Sequence, residues 1–193
     1  MKFLWCDTET TGKDTDKAAP IQIAFIFVYS KDGRKEEFER VFFLNPYDIP
    51  GIEHSKEAEE IHGYSKEQIE EFPKSSVVVK QIYNCLCEYE KYRDGEKLNF
   101  VGYNSNFDYN HLSELFRKHG YNFNEFFEKN IDVFEQVKKA GQVRVLPYLE
   151  NRKLVTVAKH LGYADFKAHD ALSDIKATRF VAKSLAQKKV PLF

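Results

Sequence analysis

The chain lacks the features that mark secreted and membrane-spanning proteins. Its 193 residues include only three cysteines, Cys6, Cys85 and Cys87. This odd number, with two of the thiols expected on different faces of a helix, disfavours a disulfide framework or a zinc site and favours a reducing cytoplasm. No apolar run approaches the roughly 20 residues that span a bilayer, and no signal peptide precedes Asp7. We therefore expect one domain, residues 1–193, without a membrane partner.

Strong positive charge is also lacking, although it is common in proteins that bind nucleic acid. The 29 Lys and Arg residues are offset by 30 Asp and Glu residues, which gives a net charge of −1. Basic residues form only local clusters, such as Lys138-Lys139 with Arg144, and Arg152-Lys153. We interpret most of them as solvated surface. Composition therefore does not indicate a protein that binds a long stretch of nucleic-acid backbone through positive charge.

Carboxylates that follow apolar stretches are the informative feature of the sequence. Residues 2–6 are apolar and aromatic and predict a buried strand, after which Asp7 and Glu9 follow. Because strand side chains alternate between faces, residues two apart point the same way. Asp7 and Glu9 can therefore share a metal ion. An isolated Asp-x-Glu, however, is more often only a turn after a strand.

A second segment repeats this arrangement in the middle of the chain. Residues 98–103 predict a strand, Asn104 opens a loop, and Asp108 stands at the start of a helical pattern over residues 109–119. Taken alone, Asp108 would be interpreted as a helix cap.

A third segment places His169 in a loop, Asp170 as the N-cap of a C-terminal helix, and Asp174 about one turn inside it. The unperturbed pKa of histidine, about 6.5, suits proton transfer near neutral pH. The alternative is a solvated histidine beside a surface acid. Four carboxylates and one histidine in this order indicate a site that binds two divalent cations and activates a water molecule.

These segments resemble the motifs of the DnaQ-like (DEDDh) 3′→5′ exonuclease family of the ribonuclease H-like superfamily. Asn104, Phe107 and Asp108 match its Asn-x-x-Phe-Asp motif, and His169 with Asp174 matches the histidine branch. A sister branch has Tyr where this chain has Asp170. Ile61-His62 resembles the family segment that contacts the terminal nucleotide.

The resemblance implies an α/β fold of the ribonuclease H-like type, a three-layer arrangement with a mixed five-stranded sheet and helices on both faces. Hydrophobic patterns agree with it and predict an antiparallel meander followed by parallel strands. The predicted strands are residues 2–6, 21–28, 38–44, 98–103 and 130–133. Further helices are predicted at residues 53–61, 77–92 and 153–162, and residues 143–151 are predicted to form a loop near the site.

The resemblance also implies a function, a 3′→5′ exonuclease that releases nucleoside 5′-monophosphates from DNA. Two cations, Mg²⁺ with Mn²⁺ as a substitute, would be held by Asp7, Glu9, Asp108 and Asp174, and His169 would act as the general base. Asp7 would bridge both ions. The substrate-binding residues implied are Thr10, Gly12, Ile61, His62, Asn104 and Phe107.

Two other functions stay open at this stage. A 3′→5′ exoribonuclease of the same family would use the same catalytic residues, and only pocket contacts to the 2′-hydroxyl would distinguish it. A catalytically idle nucleic-acid-binding module is the alternative from a different class. Expected partners are single-stranded DNA or RNA 3′ ends, with a polymerase or another replication or repair protein as a further partner.

Overall fold

A mixed five-stranded sheet forms the centre of the protein in a computed structural model, which describes residues 2–31, 34–90, 96–163 and 167–190. The spatial order is β3-β2-β1-β4-β5. β2 pairs antiparallel with both β1 and β3, whereas β4 runs parallel to β1 and β5 runs parallel to β4. The strands are β1 (Phe3–Thr10), β2 (Pro20–Lys31), β3 (Arg34–Phe43), β4 (Leu98–Gly102) and β5 (Phe127–Asp132).

Helices cover both faces of this sheet because each central strand buries apolar side chains on both sides. In β1, Leu4 belongs to one core and Trp5 to the other, as strand alternation requires. The first core is shared with α3 (Ser75–Glu90) and α4 (Asn106–Lys118). The second is shared with α5 (Val133–Gln142), α6 (Leu154–His160) and α7 (Ala171–Gln187). The predicted α/β, three-layer fold is therefore confirmed.

Two short helices, α1 (Lys56–His62) and α2 (Lys66–Glu70), lie between β3 and α3. Ser55 caps α1, and the helix ends at Gly63, whose φ of 79° is readily adopted only by glycine. Ser65 and Gln68 form a reciprocal capping box at the start of α2. The cap at Ser55 and the left-handed Gly63 set the two ends of α1, and His62 is its last residue.

Several predicted boundaries differ from the structure. β1 continues to Thr10 instead of ending at residue 6, because β2 pairs with β1 as far as Pro20. The helix expected from residue 53 begins at Lys56, because Ser55 caps it. The last strand begins at Phe127, earlier than expected. Part of the turn predicted at residues 30–34, namely Asp32 and Gly33, lies outside the described residues. The same holds for Tyr92, the predicted last residue of the helix at 77–92.

Residues 143–153 contain no helix or strand, as predicted. Within the described part of the chain, no helix is both long enough and apolar enough to cross a bilayer.

The end of β4 approaches β1 closely at Gly102. A Cβ placed there would lie 3.0 Å from the carbonyl oxygen of Cys6 and 3.2 Å from the Cβ of Ser105. Cys6 directly precedes Asp7, and Ser105 is the residue before α4. The absence of a side chain at position 102 therefore lets the two segments that carry Asp7 and Asp108 approach one another.

We expect the substitution Gly102→Ala to destabilise the protein by about 1–3 kcal/mol, because the added methyl group meets backbone that is held in the sheet. Urea unfolding would measure the change. Gly141→Ala is the matched control, since the nearest atom to its Cβ would be a side-chain nitrogen of Arg152 at 3.4 Å instead of backbone, and alanine is favoured in a helix. Equal stability of the two variants would contradict the close approach at Gly102.

Candidate active site

The outer part of β1 carries acidic side chains on the sheet face that α7 covers. Asp7 and Glu9 alternate with Thr8 and share the face of Trp5, which packs in the core formed with α7. The parallel partner strand β4 pairs only with Phe3–Trp5 of β1. Both acids therefore lie beyond the end of β4, where the sheet edge opens.

Asp108 reaches the same edge from the opposite face of the sheet. It lies in the first turn of α4 and is buried, with 3% of its surface exposed. Its Oδ1 accepts hydrogen bonds from the backbone N–H of Thr8 at 2.9 Å and from the Thr8 hydroxyl at 2.8 Å. The carboxylate thus binds β1 instead of capping α4. Thr8 was not predicted from the sequence, where its only signal is its place between the two acids.

Asp174 and His169 come together at the start of α7. The Asp170 side chain caps the helix by accepting the N–H of Ser173 at 3.0 Å, as predicted. His169 has a left-handed backbone, with φ of 64°, and its N–H donates to Asp174 Oδ2 at 2.9 Å. Ligand atoms of Glu9, His169 and Asp174 all lie within 4.8 Å of one another.

Gln22 fastens this helix start to the sheet. Its Nε2 donates to Asp170 Oδ2 at 3.1 Å, and its Oε1 accepts the N–H of Ala171 at 3.1 Å. Gln22 is also the cross-strand neighbour of Glu9. The buried amide of Gln22 therefore fixes the start of α7 beside Glu9 of β1. The sequence analysis missed this role, and the signal was a polar side chain in an otherwise apolar strand.

Burial raises the pKa values of all four carboxyl groups, and repulsion from neighbouring acids adds to the effect. Desolvation is the largest cause in each case. It raises the pKa of Asp7 well above its usual range, with further contributions from Asp108, Asp174 and Glu9. The pKa of Glu9 rises to about 8, through desolvation and then the charge of Asp174.

Hydrogen bonds reduce the upward pKa shift of the other two acids, Asp108 and Asp174. The pKa of Asp108 rises to about 7 despite the two bonds from Thr8, and that of Asp174 rises to about 6 despite the bond from His169. Asp174 Oδ1 is buried without a hydrogen-bond partner among the described residues. Clustered oxygen donors with one such free atom suit a hard divalent cation.

A cavity of about 740 Å³ adjoins Glu9. All six residues predicted to bind substrate line it: Thr10, Gly12, Ile61, His62, Asn104 and Phe107. Six further lining residues were not predicted: Thr8, Lys13, Asp14, Ser55, Glu57 and Ala58. Glu9 also lines the cavity and thereby connects it to the carboxylate cluster.

His62, which lines this cavity, has one ring nitrogen without a protein partner among the described residues. Its Nδ1 accepts the N–H of Tyr64 at 3.0 Å, so the proton of the neutral ring is assigned to Nε2. Nε2 is buried with no protein partner among the described residues. Burial, followed by the nearby His54, lowers the pKa of His62 to about 4. The ring is therefore neutral at physiological pH and has one N–H available for a ligand.

Apolar and backbone groups complete the cavity wall. Ile61 is 49% exposed, and the Phe107 ring lies 4.5 Å from that of His111, centroid to centroid. Asn104 has φ of 60°, and its N–H donates to Asp132 Oδ1 at 2.8 Å. The same oxygen of Asp132 caps α5. Asp132 therefore has a structural role.

Solved structures of exonuclease I share this fold. One from E. coli, in complex with an oligonucleotide, is 21% identical with a TM-score of 0.79, and the match covers 100% of this chain and 42% of that one. Exonuclease I from Methylocaldum szegediense is 19% identical with a TM-score of 0.79, and the coverages are 99% and 41%. A zinc-bound complex of the E. coli enzyme with single-stranded DNA is 20% identical with a TM-score of 0.77, and the coverages are 97% and 40%.

The chain thus spans about two fifths of the length of the solved proteins that it matches. Curated proteins yielded no match. The sequence model of the RNase_T exonuclease family, however, matches residues 4–181, from β1 to α7 and including every acid described above. The chain therefore belongs to the RNase_T exonuclease family, a DnaQ-like group of the ribonuclease H-like superfamily, as its motifs predicted.

Proposed function

We propose that this protein is a metal-dependent 3′→5′ exonuclease that shortens single-stranded or frayed DNA from its 3′ end and releases nucleoside 5′-monophosphates. The observation that carries the proposal is the convergence of four acids with raised pKa values and His169 beside a cavity of about 740 Å³. Family membership supports phosphodiester hydrolysis. Single-stranded DNA is favoured over RNA because the similar E. coli exonuclease I structures contain DNA oligonucleotides.

The donor set suits two Mg²⁺ ions, with Mn²⁺ as a substitute, because all four acids offer hard oxygen ligands. Asp7 lies near the other three acids, each of which raises its pKa, and the family resemblance implies that Asp7 would be a ligand of both ions. When bound, the cations would stabilise the developing negative charge and acidify the attacking water.

His169 is the proposed general base. Its side chain is exposed, and its ring lies within 4.8 Å of Glu9 and Asp174 ligand atoms. The backbone bond to Asp174 holds the loop in place. An imidazole so placed can accept a proton from a water molecule that the neighbouring carboxylates orient.

The cavity is the proposed seat of the 3′-terminal nucleotide. Nε2–H of His62 can donate to a phosphate or sugar oxygen, while Phe107 and Ile61 offer apolar contact to a base or sugar. The Thr10 hydroxyl donates to the Gly12 carbonyl at 2.7 Å and thereby holds the turn that forms one wall. Such contacts recognise shape and stacking, so little sequence preference is expected.

Residues 1–193 are proposed to act as one exonuclease domain, because the first strand and the last helix both supply acids to the site. A reducing cytoplasm is the proposed location, since all three cysteines are unpaired. A polymerase or another replication or repair protein is the proposed further partner, because one of the similar structures is a complex of exonuclease I with the SSB C-terminus.

We expect Asp174→Asn and His169→Ala each to lower the cleavage rate by about 10²–10⁴-fold, because one removes a ligand and the other the general base. The assay follows 5′-labelled DNA and RNA of matched sequence with Mg²⁺, with Mn²⁺ and with chelator. The controls are Glu128→Gln and His160→Ala, which change exposed residues of β5 and α6.

A metal-dependent ladder that shortens from the 3′ end of DNA supports the proposal. Faster loss of RNA would assign the protein as an exoribonuclease. No cleavage with either metal would favour the idle binding module, and full activity in both site variants would overturn the site assignment.

We expect the metal-free protein to lose stability as the pH rises. The folded carboxyls have pKa values above their unfolded values near 4, so their contribution is fully present below about pH 4. It is lost through about pH 6 for Asp174 and about pH 8 for Glu9. In chelator the melting temperature should fall by ~5 °C between pH 5.5 and 8. Millimolar Mg²⁺ should reverse the fall, because it binds the deprotonated acids.

Glu9→Gln is the control for this pH dependence, since it removes one titrating group and keeps the shape of the side chain. The chelated variant should show a flatter profile of melting temperature against pH. A wild-type protein that becomes more stable with rising pH in chelator would contradict the repulsion between these acids.

We expect His62→Ala to raise KM by about 3–10-fold, the effect of losing one hydrogen bond, with a smaller change in kcat. His62→Gln keeps an N–H donor and should recover much of the loss. Steady-state kinetics on a short DNA oligonucleotide would measure both. If the glutamine variant is as impaired as the alanine variant, the N–H donor is not what His62 contributes.

A further inference from the structure

A second groove, of about 630 Å³, lies between the end of α5 and residues 144–152. It shares no lining residue with the cavity beside Glu9. We propose that this groove is a secondary binding site for single-stranded nucleic acid, which holds the strand upstream of the 3′-terminal nucleotides. The inference rests on the function proposed above and extends it to the part of the substrate that is not cleaved.

Charge favours a phosphate-bearing ligand. Residues 138–153 contain five Lys or Arg and one Glu, in a chain whose net charge is −1. Arg144 and Arg152 line the groove, and neither forms an ion pair with any residue that the structure describes. The sequence predicts solvated surface for these basic residues. Two of them, Arg144 and Arg152, instead converge on one groove, whose lining contains a single acid, Glu150. On a chain that is otherwise acidic, this convergence indicates a local site for phosphate.

An aromatic side chain offers a stacking surface in the same groove. Tyr148 is 95% exposed, although tyrosine usually buries much of its ring. Next to it, Leu146 is buried and Leu149 is half-buried, which anchors the segment on both sides. A flat exposed ring beside unpaired arginines is the arrangement that binds successive bases and phosphates of a single strand without sequence preference.

The groove is held in shape by backbone contacts. The N–H groups of Val145 and Leu146 donate to the Ala140 carbonyl at 2.9 and 3.1 Å. The Arg152 guanidinium lies over Gly141, where a Cβ would be 3.4 Å from its nearest nitrogen. One arginine is therefore seated against the end of α5, and the loop is fastened to the helix.

Adjacent residues connect the two binding regions. Asn104 lines the cavity beside Glu9, while the hydroxyl of Tyr103 donates to the Arg152 carbonyl at the second groove. Asp132 holds the Asn104 N–H and caps α5, whose far end forms the groove wall. Tyr103 and Asn104 therefore place Arg152 on the proposed route of a strand that leaves the cavity.

The test compares substrates that reach the groove with substrates that do not. The variants are Tyr148→Ala and the double variant Arg144→Asn with Arg152→Gln; asparagine is chosen because Arg144 has a φ of 58°. The double control Lys74→Gln with Lys80→Gln removes two exposed charges next to and on α3, which packs on the other face of the sheet.

Catalysis is measured as kcat/KM on a nitrophenyl ester of thymidine 5′-monophosphate, on a trinucleotide and on a 15-nucleotide DNA. We expect each groove variant to lose about tenfold or more on the longest substrate, the effect of one stacked base, and less than twofold on the ester. Equal losses on all three substrates, or no loss on any, would overturn the inference.

Binding is measured separately, by anisotropy of the labelled 15-nucleotide DNA in chelator, so that the result does not depend on cleavage. The double variant should weaken binding and lower the slope of log K against log salt by about 1.4, which corresponds to two phosphate contacts on a single strand. Unchanged DNA binding would overturn the inference even if cleavage is confirmed. If an acidic peptide binds at the groove and the variants leave DNA binding intact, the site belongs to a protein partner and the inference is likewise overturned.

Discussion

Repulsion among four acids gathered at one sheet edge is the constraint on which the rest of the site depends. Neutral groups hold Asp108 and Asp174 in place: Thr8 binds the first, and the His169 N–H binds the second. Gln22 holds the start of α7 against β2 in the same way. Because no lysine or arginine is among the groups that shift the pKa values of these acids, their charge is left for bound cations to offset.

The two faces of β1 contribute to the site in different ways. Alternation in β1 places Thr8 toward α4 and Glu9 toward α7, so that both sheet faces contribute an acid to a single edge. Gly102 allows the close approach of β4 and β1 that the arrangement requires. The cavity beside Glu9 then offers shape, a neutral His62 ring and a single lysine, Lys13. An enzyme built in this way can carry a net charge of −1 and still receive a phosphate when its cations are bound.

Positive charge is concentrated instead at the second groove, away from the carboxylate cluster. Such a separation keeps these arginines from pairing with the clustered carboxylates, and under the proposed function both groups stay available to substrate. The two regions meet at Tyr103 and Asn104, the residues that follow β4. The left-handed backbone of Asn104 turns the chain sharply at this junction.

The sequence by itself determined the family, the strand and helix pattern and the candidate acids, because these depend on short-range periodicity and on motifs within a few residues. The caps at Ser55 and Asp170 and the buried alternation of β1 are local features of this kind. The extension of β1 through Glu9 was decided by pairing with β2, and the functions of Thr8 and Gln22 by bonds to residues 100 and 148 positions away. The convergence of Tyr148, Arg144 and Arg152 likewise required the loop to fold back on α5. Only the tertiary structure decided these features, because contacts between distant segments leave no periodic pattern in the chain.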